Sequence, residues 1–148
     1  MSVVSQILLA GISAGAFSVL YHTRPRHIPL AALGGLLSWS FYLLLGYVIP
    51  DLFYRVLLVS ILTAAYAEIV ARFRKAPATL FLLPALIPLV PGSHVYYMML
   101  CLVMGYPQEA REFGLLTVKW AIGLAAGISL VAAAEQILHR QERESSTP

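Results

Sequence analysis

Residues 78–104 read ATLFLLPALIPLVPGSHVYYMMLCLVM. The run carries no Asp, Glu, Lys or Arg. It exceeds the roughly 20 apolar residues that a helix needs to cross a bilayer core. It is also interrupted. Pro84, Pro88 and Pro91 each lack a backbone donor and crowd the turn before them, and Gly92 follows the last of the three. The helix is therefore expected to break between Pro84 and Gly92. Irregular backbone at membrane depth persists only against protein or a water-filled cavity. This one stretch predicts a membrane fold and a point within it where the backbone must find partners.

Four further apolar stretches flank it, at about Val3–Tyr21, Ile28–Val48, Leu52–Ala71 and Leu115–Leu138. The fold class is an all-α membrane protein of about five transmembrane helices, the fourth broken by Pro and Gly. Composition agrees: 59% of the 148 residues are hydrophobic and 11% charged, against roughly 25% charged in soluble domains. Residues 1–138 read as one transmembrane domain. Residues 139–148 form a polar C-terminal tail, with the composition of disordered chain. Met1 to Gln6 carries no positive charge, so the first apolar stretch is expected to be a helix and not a cleaved leader.

Small residues mark expected helix contacts. They are Gly11, Ser13, Ala14, Gly15 and Ala16 in the first stretch, Gly34-Gly35 in the second, and Gly123 with Gly127 at GxxxG spacing in the last. Trp39 and Trp120 read as packing or interface anchors. Seven of the ten basic residues fall at one end of a five-helix chain: Arg24 and Arg26, then Arg72, Arg74 and Lys75, then Arg140 and Arg143. The positive-inside rule makes that end cytoplasmic, with the N-terminus outside and the C-terminus inside, whereas a re-entrant fourth segment would move the tail outside.

Candidate chemistry concentrates at the break. Ser93, His94, Tyr96 and Tyr97 follow it directly. Transporters use broken helices to turn half-helix ends and free carbonyls toward substrate. Hydroxyl, imidazole and phenol groups suit a small zwitterion or carboxylate. The substrate pathway is accordingly assigned to Pro88, Pro91, Gly92, Ser93, Tyr96 and Tyr97. The competing reading is a kinked helix whose polar residues sit at the water interface, where tyrosine is common. Glu68 lies four residues before Arg72. It reads either as a proton carrier for coupling or as the structural partner of Arg72 at helical spacing. Asp51 is expected to pair with Arg55. Arg55 and Lys119 are placed near helix ends, where they snorkel.

Other classes lack support. The lone Cys101 forms neither a disulfide framework nor a metal cluster, and no metal or cofactor is expected. No GxSxG, HExxH, GxxxxGK[ST] or GxGxxG motif occurs, so an enzyme is not expected. Basic residues form no stripe interleaved with aromatics, so no nucleic acid is expected.

The stretch Ala67 to Tyr97, AEIVARFRKAPATLFLLPALIPLVPGSHVYY, resembles the threonine/serine exporter family, in the small-subunit form that corresponds to the ThrE C-terminal half. Phe17, Tyr21, Pro25 and Arg26, followed by Gly34-Gly35, extend the resemblance to nearly the whole chain. Glu68, Arg72, Pro77, Pro88, Pro91, Gly92 and Tyr96 are similar to the family's pattern. The resemblance implies half of a ten-helix secondary exporter in a bacterial inner membrane. A larger subunit carrying the other half would complete it, and the proton motive force would drive export of threonine and serine. Some split relatives are linked to dicarboxylates such as succinate, which keeps that substrate class open. A non-transporting membrane scaffold for a larger partner is the other open reading. Membrane lipid, and a second copy of the chain, are the remaining partners.

Overall fold

The computed structural model describes residues 2–145, with side chains to residue 137. Six helices follow one another: α1 Val3–Leu20, α2 Ile28–Gly46, α3 Leu52–Arg74, α4 Thr79–Leu86, α5 Gly92–Val103 and α6 Pro107–Ser145. Four of these elements are long and apolar enough to cross a membrane, and α4 with α5 makes a fifth, bent span. The bend is 44°. At that angle α5 continues broadly in the direction of α4 and does not turn back.

Local chemistry sets the ends. The Ser2 hydroxyl accepts from the Ser5 N–H and starts α1. Asp51 starts α3 by accepting from the Phe53 and Tyr54 N–H groups at 2.9 and 3.3 Å. This replaces the expected Asp51–Arg55 pair. The carboxylate is held by its own helix end, and Arg55 turns back to donate to the Ile49 carbonyl at 2.9 and 3.1 Å. Lys75 closes α3 in the left-handed region, φ 50°, with its N–H returned to Ala71 and Arg72. The last helix begins at Pro107, earlier than its apolar stretch, because Pro at the first helical position needs no donor. Its backbone stays helical to Ser145, into the polar tail, and residues 146–148 lie outside the described residues.

Packing radiates from α2. On one side Gly35 lies against the Ala10 carbonyl and Ala14, and Gly11 receives Leu36, which holds α1 close. On the other side Gly34 faces Ala85 of α4 and Tyr66 of α3. The α3–α6 contact is equally close. Gly123 and Gly127 lie on the Phe53–Ser60 stretch, and the Ser60 hydroxyl donates to the Gly123 carbonyl at 3.2 Å. Among the described residues α5 packs against α6 and makes at most marginal contact with the other helices. Cys101 is its buried residue, whereas Tyr96, Met99, Leu102 and Val103 are exposed. The outer face of α6 is equally bare at Leu115, Val118, Ile122 and Leu130. Such a surface requires lipid or protein cover.

Candidate functional site at the helix break

The break is narrower than the three prolines suggest. Pro84 stays inside α4. Pro88 occupies the start of a 3-10 turn, residues 87–89, where its missing N–H costs nothing. The backbone leaves helical geometry at Val90, φ −66° and ψ 129°, as expected for a residue before proline. Pro91 follows with ψ 46°, the Gly92 N–H bonds the Val90 carbonyl at 2.8 Å, and α5 begins.

Carbonyls around the break have partners. The Ile87 carbonyl accepts from the Val90 N–H at 3.2 Å. The Ala85 carbonyl accepts from the Ser38 hydroxyl of α2 at 2.9 Å. The Leu89 carbonyl, fully buried, accepts from the Trp120 indole N–H of α6 at 2.6 Å. Neighbouring helices thereby satisfy backbone that a bilayer would leave bare. Trp120 also anchors an aromatic row: its ring lies 5.2 Å from Tyr42 and 5.2 Å from His94, and Tyr42 stacks on Trp39 at 5.1 Å. The Arg55 guanidinium sits over Tyr42 at 5.5 Å. The His94 Nδ1 is enclosed beside this row with no hydrogen-bond partner among the described residues.

The residues assigned to the pathway occupy a different face. Pro88 and Pro91 are half-buried, and Gly92, Ser93, Tyr96 and Tyr97 are exposed. Ser93, Tyr96 and Tyr97 stand one turn apart on α5, so they share a side. Tyr97 stacks on Phe113 at 5.5 Å, and Tyr96 meets Tyr97 edge-on at 5.4 Å. A Cβ added at Gly92 meets nothing within 4 Å. The chain's own packing therefore does not require glycine there. The face is open.

Glu68 and Arg72 line a second feature, a groove of about 430 Å³ between α3 and α6. Arg72 does not turn to Glu68 one turn back. Its guanidinium bonds both carboxylate oxygens of Glu135, 63 residues on, at 2.8 and 2.6 Å. Close approach of the two helices at Gly123 and Gly127 puts that carboxylate within reach. The guanidinium side chain is half exposed, so solvent screening limits such a pair to about 1 kcal/mol. Glu68 sits half-buried in the same groove. The groove and the break are not brought together. Trp120 marks the level of the break on α6 and Glu135 the level of the groove, and a helix rises about 22 Å between them. Among the described residues no group of three or more His, Cys, Asp or Glu converges as a metal site would require.

The sequence marks Trp120 as an anchor but not as the donor to the break. Its signal is generic: a buried indole needs an acceptor, and nothing in the sequence says which. A family model described as "Threonine/Serine exporter, ThrE" matches residues 6–134. No curated protein and no solved structure gives a significant match.

Proposed function

The chain belongs to the threonine/serine exporter family, and on that premise we propose that it is the smaller half of a two-part secondary exporter in the bacterial inner membrane. Membership implies a multi-pass transporter of a small molecule and not an enzyme. The finer reading has threonine and serine as substrates, the proton motive force as driver, and a larger subunit as partner. One observation carries it. The broken span ends in a polar face, Ser93, Tyr96 and Tyr97, that this chain leaves uncovered. A pathway needs two walls, and α5, packed against α6, supplies one. The larger subunit supplies the other.

In this reading the Leu89–Trp120 and Ala85–Ser38 bonds hold the break rigid. Pro88, Pro91 and Gly92 set the angle at which α5 leaves it. Ser93, Tyr96 and Tyr97 offer hydroxyls to the carboxylate and ammonium of the substrate. Glu68, in the α3–α6 groove, carries the coupled proton. Seven basic residues at the groove's end of the bundle make that end cytoplasmic. The break then lies in the outer part of a roughly 30 Å core.

The deciding experiment loads cells with labelled threonine and serine. Export is compared for this chain alone, for the chain with its larger partner, and for that pair carrying Gly92→Leu. Export by the wild-type pair alone, lost with Gly92→Leu at unchanged membrane levels, is the expected result. Full export with Gly92→Leu removes the pathway assignment. Export of dicarboxylates in place of threonine and serine moves the substrate class.

A further inference from the structure

A cavity of about 390 Å³ opens where the α1–α2 loop meets the α3–α4 loop. Arg24, Arg26 and Lys75 line it, and among the described residues no carboxylate does. Thr23 and His27 line it too, each more than nine-tenths buried. The Thr23 Oγ1 and the His27 Nδ1 have no hydrogen-bond partner among the described residues. Buried polar atoms are normally satisfied, and this cavity wall holds two whose bonding is unmet. Three cations, with no carboxylate among the described lining residues, favour an anionic ligand. The lips are preformed: His22 and Lys75, one in each loop, hold left-handed backbone, φ 54° and 50°, a conformation that costs a non-glycine residue about 1–2 kcal/mol.

A second cavity, about 130 Å³, adjoins the first and shares Thr23 and Leu80 with it. It runs along Leu83 and Pro84 of α4, and Leu83 is exposed. Those residues stand inward from the loops along the span. The combined shape is a cationic mouth at the end of the bundle that continues into an apolar groove along the bilayer flank. A free phosphate would fill the mouth and leave the groove without use.

We propose that the two loops form a binding site for an anionic phospholipid, its phosphate on Arg24, Arg26 and Lys75 and an acyl chain along Leu80, Leu83 and Pro84. The site is independent of the export reading. It rests on a membrane-embedded chain and on the basic end lying at headgroup level, where pockets between transmembrane helices take such headgroups. The lipid would pin α1, α3 and α4 together at the end where their loops meet.

The test uses the full chain in detergent micelles at fixed ionic strength, titrated with phosphatidylglycerol, with phosphatidylcholine or with inorganic phosphate. Bound lipid is read by native mass spectrometry. Phosphatidylglycerol is expected to bind about tenfold or more tighter than phosphatidylcholine. The Arg24→Gln/Arg26→Gln/Lys75→Asn variant loses that preference, and Arg111→Gln, at the opposite end of the bundle, keeps it. Leu83→Gln weakens the lipid, and millimolar phosphate does not displace it. Equal binding of the two lipids by the wild-type chain overturns the proposal without reliance on any variant. Unchanged preference in the triple variant overturns it as well. Displacement by inorganic phosphate together with indifference to Leu83→Gln makes the cavity a free-anion site and overturns the lipid assignment.

Discussion

Trp120 and Leu89 are joined by a buried hydrogen bond of 2.6 Å, from an indole on α6 to a main-chain carbonyl at the end of the 87–89 turn. The bond ties the last span to the break in the fourth. It fills the acceptor that helix interruption frees. Trp120→Phe keeps the aromatic packing and leaves the carbonyl bare, which costs about 1–3 kcal/mol. The midpoint of thermal unfolding in detergent should fall accordingly. Trp39→Phe, which removes a longer indole bond to Gln6 at 3.4 Å, should lower it less. Equal midpoints for Trp120→Phe and wild type would show that the break is held by other means.

Two glycines should respond in opposite ways. At Gly127 an added Cβ runs into the Ser60 side chain and lies 2.8 Å from the Leu57 carbonyl, both on α3. Gly127→Val should force α3 and α6 apart and destabilise the chain by about 1–3 kcal/mol. At Gly92 the Cβ enters open space, so Gly92→Ala should stay within about 0.5 kcal/mol of wild type. The pair is read as unfolding midpoints side by side. A large loss at Gly92 would mean that this chain alone, and not a substrate or partner, demands the glycine.

Glu68 can be separated from the ion pair beside it. Glu68→Gln should leave unfolding unchanged and abolish the dependence of export on an imposed proton gradient. Arg72→Gln, Glu135→Gln and their double variant should show a coupling of at most about 1 kcal/mol, given the exposure of the pair. Gradient-dependent export that survives Glu68→Gln removes Glu68 as the proton carrier.

Sidedness is open to labelling because the chain has one cysteine, Cys101, and it is buried. In a Cys101→Ala background, Arg26→Cys and Gln108→Cys lie at opposite ends of the bundle. With an outside N-terminus, a membrane-impermeant maleimide added to intact cells should label Gln108→Cys and spare Arg26→Cys. The reverse pattern would invert the orientation.

Much of the fold was legible in the sequence because lipid imposes a coarse code. A span is a length of apolar residues, and small residues at helical spacing mark contacts. Val3–Leu20, Ile28–Gly46 and Leu52–Arg74 fall close to the stretches that hydropathy outlines. Gly123 and Gly127 pack as their spacing suggests. The bent fourth span follows from Pro91 and Gly92, since the stereochemistry of proline is local. The ion pairs were not legible. At helical spacing Glu68 and Asp51 each look like partners for an arginine four residues on, yet Asp51 caps a helix and Arg72 crosses to Glu135.

The sequence by itself determined the solvent, the number of spans, the break and the basic end, because each depends on residues near one another along the chain. Tertiary structure alone decided which carbonyls of the break Ser38 and Trp120 cover, and which carboxylate Arg72 holds. It also decided that the Ser93–Tyr96–Tyr97 face is left open, and that Arg24, Arg26 and Lys75 share one cavity with an apolar groove beside it. Those relations join residues far apart in sequence. They depend on how closely α3 and α6, or α2 and α4, approach, a distance fixed by mutual packing and invisible to any local pattern.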